Sequence, residues 1–149
     1  MDEKKEELIN LLLRLPRVIR NSVDKDLFKP LLHSIDKDLA PQHLVVLKHI
    51  SEEGIMNMNQ IGEPSVISKA QMTQIVDKLA AMGMLERRAY PKDRRKIDVV
   101  LTEQGKKTVA VADELLNRRL EEKLSILNRD EIGKMIDSLK YVLSSLEKL

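Results

Sequence analysis

Residues 68 to 105, SKAQMTQIVDKLAAMGMLERRAYPKDRRKIDVVLTEQG, restrict the fold more than any other part of the chain. Ser68 is followed three positions later by Gln71, the spacing of a capping box in which each side chain satisfies an orphan amide of the first helical turn. Ile67 and Met72 flank that box as a hydrophobic staple. Ile75, Val76, Leu79 and Met82 then recur at helical spacing, so they face a core, while Lys69, Gln71, Thr73, Gln74 and Lys78 fall on the opposite side. Gly83 supplies a left-handed stop. Met84 to Ala89 and Ile97 to Leu101 have strand character, joined through the turn Tyr90-Pro91-Lys92-Asp93. Thr102 caps a further helix. The segment predicts a short capped helix, a hairpin and a second capped helix, the order of a winged helix-turn-helix.

Its charge is unusual for this chain. Residues 68 to 96 carry eight Lys and Arg against three acids, whereas the remaining positions hold 18 basic and 21 acidic residues. A nearly neutral chain, formally +2, has concentrated positive charge in one element, the footprint of a surface that meets phosphate.

The flanks read as helices. Leu8, Leu11, Leu12, Leu15, Val18, Ile19 and Val23 form an amphipathic stripe, in which Pro16 predicts a kink or a split and Pro30 an end or a bend. Ala40-Pro41-Gln42 opens a helix of about three turns with Leu44, Val46, Leu47 and Ile50 on its apolar face, stopped at Gly54. Residues 57 to 63, with Met58 and Ile61 inward, predict a short helix broken at Pro64-Ser65. After Thr102 a helix runs to about Leu127 with Val109, Ala112, Leu116, Leu120 and Leu124 along one side. Asn128 and Glu131 cap the last helix, whose Ile132, Met135, Ile136, Leu139, Val142, Leu143 and Leu146 form a wide stripe. So few neighbours remain for these leucine-rich ends that a symmetric dimer is the economical way to bury them. The expected organisation is an N-terminal dimerisation helix over 1–38, a DNA-binding lobe over 39–103 and C-terminal dimerisation helices over 104–149, within one folding unit.

Composition narrows the function. At 149 residues with 42% apolar and 34% charged positions the chain is globular and of single-domain size. Phe28, Tyr90 and Tyr141 are its only aromatics, too few to build the stacking platforms of a single-strand binder. The absence of cysteine excludes thiolate metal sites and thiol redox switches. No apolar run reaches a membrane span, and the start MDEKKEE lacks signal-peptide shape, so a cytoplasmic protein without a membrane partner is expected. There is no Gly-rich phosphate loop and no Ser/His/Asp spacing, so an enzyme is not expected.

A polar-faced second helix beside a cationic hairpin suits duplex DNA, because the major groove admits one helix. Gln71 and Gln74 can pair with base edges, glutamine being suited to adenine. Lys69, Lys78, Arg87 and Arg88 are placed to neutralise phosphate. The bland alternatives are a merely solvated hairpin, and a Gln71 that only caps Ser68.

At this point the chain resembles the MarR (multiple antibiotic resistance regulator) family. The resemblance is carried by Leu39-Ala40-Pro41-Gln42 with Leu47, Ser68-Lys69, Thr73 to Leu79, Gly83 with Arg87-Arg88, Asp93-Arg94-Arg95 and Leu101-Thr102-Glu103-Gln104-Gly105. It implies a mainly α fold with a small β-hairpin wing, and a homodimer on a pseudo-palindromic double-stranded operator. It also implies a regulator, most often a repressor, released by a small anionic or aromatic effector held between the dimer helices and the lobe, with no cofactor required. Arg95 is then the wing-tip residue expected in the minor groove, with Asp93 holding it, and Ser68, Lys92, Arg94 and Lys96 complete the expected DNA-binding set. Ala40 stands where the family usually has a capping Thr, Pro64 falls in what is normally a helix body, and the cysteine of the hydroperoxide-sensing branch is absent.

Two other readings compete. One is an architectural or protein-interaction winged helix without an effector. The other is a metal-responsive regulator using His33, His43 or His49. His43 and His49 lie six apart, roughly 240° around a helix, and so form no local chelating pair, though His33 with Asp36 or a Glu across a dimer can still assemble one. Met56, Met58, Met72, Met82 and Met84 read as adaptable core filler.

Overall fold

Local signals set the helix boundaries. In the computed structural model, which describes residues 2–24, 27–58 and 68–149, helix α1 runs Glu3–Ile19 behind an Asp2 cap and continues into a π-helical turn at Arg20–Asp24. The helix is not split at Pro16, contrary to one sequence expectation. Proline there removes a single amide donor while keeping helical φ, and the regular pattern gives way four residues later. Helix α2, Phe28–Ile35, holds Pro30 in its first turn. Pro30 therefore opens a helix instead of ending one, because first-turn amides have no intrahelical partner to lose.

Helix α3, Pro41–Glu53, starts with proline at its first position and closes at Gly54, whose φ of 81° is the left-handed region. Ala40 has no side-chain acceptor for the first turn, and the remaining half of the box is supplied by His43, whose Nδ1 accepts the Ala40 amide at 2.9 Å. Ile55–Asn57 is then strand β1, antiparallel to the later hairpin. Of the helix expected over 57–63, Asn57 is thus strand, and positions 59–63 lie outside the described residues, as do Pro64-Ser65 and the Ile67 half of the staple.

Helix α4, Lys69–Ala81, begins as the sequence predicts: Ser68 Oγ accepts the Gln71 amide at 3.3 Å, and Gln71 Oε1 accepts the Ser68 amide at 3.1 Å. Strands β2 (Leu85–Tyr90) and β3 (Asp93–Leu101) form the hairpin, with a register irregularity between Ala89 and Tyr90, and the sheet order is β1-β3-β2. Helix α5, Glu103–Leu124, stops three residues before the expected end. Helix α6, Arg129–Leu146, is capped reciprocally by Asn128 and Glu131 at 2.9 and 2.8 Å.

The chain divides into two compact units, 1–116 and 117–149. The core of the first is aliphatic, with Leu32, Leu39, Leu47, Ile50, Val76, Leu79, Met84 and Val99 fully buried, and it also takes in Val109 and Ala112 of α5. Met56 and Met72 are buried there as well, as filler. Helices α1 and α6 bury none of their residues. Leu8 is 55% exposed and Leu139 45%, and each belongs to a continuing apolar stripe.

Candidate nucleic-acid interface

Helix α4 fixes the first half of the site. Met72, Ile75, Val76 and Leu79 anchor it in the core, so at about 100° per residue the opposite face must present Ala70, Gln74 and Asp77, with Thr73 on one flank and Gln71 and Lys78 on the other. All of these, and Ser68 and Lys69, are exposed. The hairpin supplies the second half, with Arg87 and Arg88 on β2, Lys92 in the turn and Asp93, Arg94, Arg95 and Lys96 on β3.

The two halves are tied by an ion pair that the sequence reading did not anticipate. The Arg87 guanidinium binds Asp77, so the residue expected to neutralise phosphate instead braces the hairpin against α4. Arg88 is held by Glu86 at 3.2 Å. Among the described residues, Lys69, Lys78, Lys92, Arg94 and Arg95 carry no ion pair, which leaves them as the cations open to phosphate. Lys96 lies 5.8 Å from the centre of the Tyr90 ring, a cation–π distance that stiffens the hairpin end. Asp93 Oδ1 accepts the main-chain amide of Arg95 at 3.0 Å, so it fixes the backbone that carries the arginine and not the guanidinium.

The root of the hairpin is clamped by the LTEQG segment. Thr102 Oγ1 donates to the Gly83 carbonyl at 2.6 Å and accepts the Gly105 amide at 3.0 Å, while Gln104 Nε2 donates to the Met82 carbonyl at 3.3 Å. A Cβ at Gly105 would lie 2.1 Å from the Met84 carbonyl oxygen, so only glycine allows the start of α5 to approach the backbone just before β2 this closely.

Between the start of α3 and α4 lies a cleft of about 360 Å³ lined by Ala40, Gln42, His43, Gln71, Gln74, Ile75 and Lys78. His43 is 3% exposed. Burial lowers its imidazole pKa, the positive charge of Lys78 adds to that, and a main-chain hydrogen bond with Asp38 acts the other way. The neutral form is therefore held, as the Nδ1 acceptor role requires. Its position three residues after the Ala40 cap was the sequence signal for that role. Among the described residues no group of three or more His, Cys, Asp or Glu is placed to hold a metal ion, and no helix is long and apolar enough to cross a membrane.

Known proteins share this fold. Residues 39–97 match the model of the MarR family. The chain is 28% identical over 145 residues to the HTH-type transcriptional regulator MhqR of Bacillus subtilis, covering 95% of this chain and 93% of that one. The apo form of wild-type MarR from E. coli superposes with a TM-score of 0.79 at 25% identity, covering 89% of this chain and 96% of the other. A cysteine-to-serine mutant of the same E. coli protein, in complex with operator DNA, gives 0.71 at 25% identity, covering 92% and 96%.

Proposed function

The chain belongs to the MarR family of DNA-binding transcriptional regulators, and from that premise we propose that it acts as a homodimeric repressor, seated on a pseudo-palindromic operator and released by a small-molecule effector. It is not an enzyme, since its relatives are transcriptional regulators. The observation that carries the proposal is the α4 face set beside the unpaired hairpin cations Lys92, Arg94 and Arg95. In this reading α4 enters the major groove, Lys69 and Lys78 neutralise flanking phosphates, and Arg95 probes the minor groove from a backbone held by Asp93. The solved complex of a similar protein with operator DNA supports the same docking.

Dimerisation is supported by the exposed stripes. Leu8, Leu11, Leu15 and Val18 on α1, and Ile132, Ile136, Leu139 and Leu143 on α6, stand open to water. A second copy that covers them removes a large apolar surface from solvent, and a two-fold axis presents two α4 helices to successive major grooves about 34 Å apart. For the effector, the cleft between α3 and α4 is at the lower end of the ligand-sized range, and Lys78 with the amides of Gln42, Gln71 and Gln74 suits a small carboxylate. An occupant there stands against the helix face that DNA needs. Such a ligand acts only through its preference for the DNA-free state.

Sedimentation of the intact chain, alone and with a palindromic duplex recovered by selection from random DNA, tests the proposal. A dimer that binds as two chains per duplex, and that a panel of small aromatic acids displaces, is expected. A monomer that coats DNA without preferring a palindrome overturns it in favour of an architectural role.

A further inference from the structure

The hydrogen bonds of α4 distinguish its outward side chains in a way the sequence does not. Reading an adenine edge in the major groove takes one donor and one acceptor from a single planar group, to meet N7 and N6 together. Gln71 cannot offer that pair while it caps the helix. Its Oε1 accepts from both the Ser68 amide and the Ser68 hydroxyl, each at 3.1 Å, which leaves only its NH₂ donors. Thr73 spends its hydroxyl proton on the Lys69 carbonyl at 3.0 Å and keeps only acceptor capacity. Asp77 is occupied by Arg87. Lys69 and Lys78 are donors only. Ala70 offers a methyl group and nothing polar.

Gln74 is different. It lies at the centre of the face opposite the buried Met72, Ile75, Val76 and Leu79, it is exposed, and among the described residues its carboxamide makes no hydrogen bond. From this we infer that Gln74 is the specificity-determining residue of the helix, and that it selects an A·T pair at the centre of each half-site through a two-point contact with adenine. Gln71 serves the fold and at most donates to an acceptor that many sequences and the phosphate backbone share. The inference rests on the proposed docking of α4 in the major groove. It adds to that docking the identity of one base pair and the residue that sets it.

Selection from random duplex DNA with the intact wild-type chain, Gln74→Glu and Gln71→Glu tests it. A carboxylate at position 74 keeps acceptors and loses both donors, so it no longer matches adenine and instead accepts from cytosine N4. At one symmetric pair of positions the wild type is expected to require A·T, with roughly five- to 150-fold discrimination, and Gln74→Glu to change that pair to C·G. Gln71→Glu keeps the capping box, because glutamate is a regular partner of a Ser cap. It is expected to melt at the wild-type temperature and, whatever affinity the new charge on this face removes, to keep A·T at the pair that Gln74 sets. Circular dichroism confirms that both variants are folded. The inference is overturned if Gln74→Glu recovers the wild-type base at every position, or if Gln71→Glu is the variant that changes one. A wild-type selection that enriches no sequence overturns the major-groove docking itself, an outcome separate from the failure of Gln74 alone.

Discussion

Gly105→Ala should cost this protein several kcal/mol although it adds one methyl group to a helix. The new Cβ would lie 2.1 Å from the Met84 carbonyl oxygen and 3.1 Å from Leu101 Cδ2. That oxygen cannot withdraw freely, because it accepts the Thr102 amide at 3.1 Å, and the Gly105 amide is itself held by Thr102 Oγ1 at 3.0 Å. Relieving the clash therefore strains or breaks two hydrogen bonds at the junction of α5 and the hairpin. Overpacking of this kind costs about 1–3 kcal/mol, and each weakened hydrogen bond about 1 kcal/mol. The better helix propensity of alanine returns about 1 kcal/mol. The net expectation is a loss of about 2–4 kcal/mol. With an unfolding entropy near 2.1 cal/mol/K per residue, about 3 kcal/mol lowers the melting temperature by roughly 10 °C. Thermal and urea unfolding at fixed protein concentration measure it, since a dimer's stability depends on concentration. Gly133 is the internal control. A Cβ there meets nothing within 4 Å, so Gly133→Ala in α6 is expected to gain about 0.5–1 kcal/mol. A Gly105→Ala protein as stable as the wild type would refute the argument from close approach.

Two further outcomes are expected. Asp77→Asn frees the Arg87 guanidinium while changing stability by no more than about 1 kcal/mol, since the pair is exposed; in salt titrations of DNA affinity it should steepen the slope of log K against log salt by about 0.9 per lobe, and a slope equal to the wild type contradicts the bracing role. His43→Gln addresses pH. The folded state lowers the His43 pKa through burial and the charge of Lys78, so the unfolded chain binds the proton more readily. The stabilisation is complete above the ordinary histidine pKa of about 6.5 and is lost as pH falls from there towards the folded value. A carboxamide at this position keeps an acceptor for the Ala40 amide and cannot titrate, so denaturation at high and low pH should show a flatter dependence than the wild type; an equal dependence contradicts it.

What the sequence disclosed depended on range. The Ser68–Gln71 and Asn128–Glu131 boxes are three-residue signals and appear at those positions. The hairpin followed from alternation and turn chemistry, and the apolar stripes of α1 and α6 from periodicity. Strand β1 was illegible, because three residues carry no period and Ile55–Asn57 is strand only through its pairing with Val100 to Asp98. Pro30 is ambiguous in sequence, since the same residue ends one helix or opens the next. The charge count marked residues 68 to 96 as a phosphate-facing element but could not separate Arg87, spent on Asp77, from the unpaired Arg94 and Arg95. That division depends on the placement of β2 beside α4, ten residues apart in sequence. Gly105 belonged to a recognised run of residues, yet its reason, the Met84 carbonyl, is a contact made only in the folded chain.

The central claim is that one face of this molecule, α4 with the hairpin, recognises a particular duplex. It is tested most directly by the affinity of the intact chain for a selected palindrome and for a shuffled duplex of the same composition, from about 50 to 200 mM salt, the range over which phosphate contacts dominate the change. The account predicts that the palindrome is bound on the order of a thousandfold or more tightly at the upper end of that range, and that Arg95→Ala weakens binding to it. Equal affinity for the two duplexes at every salt concentration would contradict it.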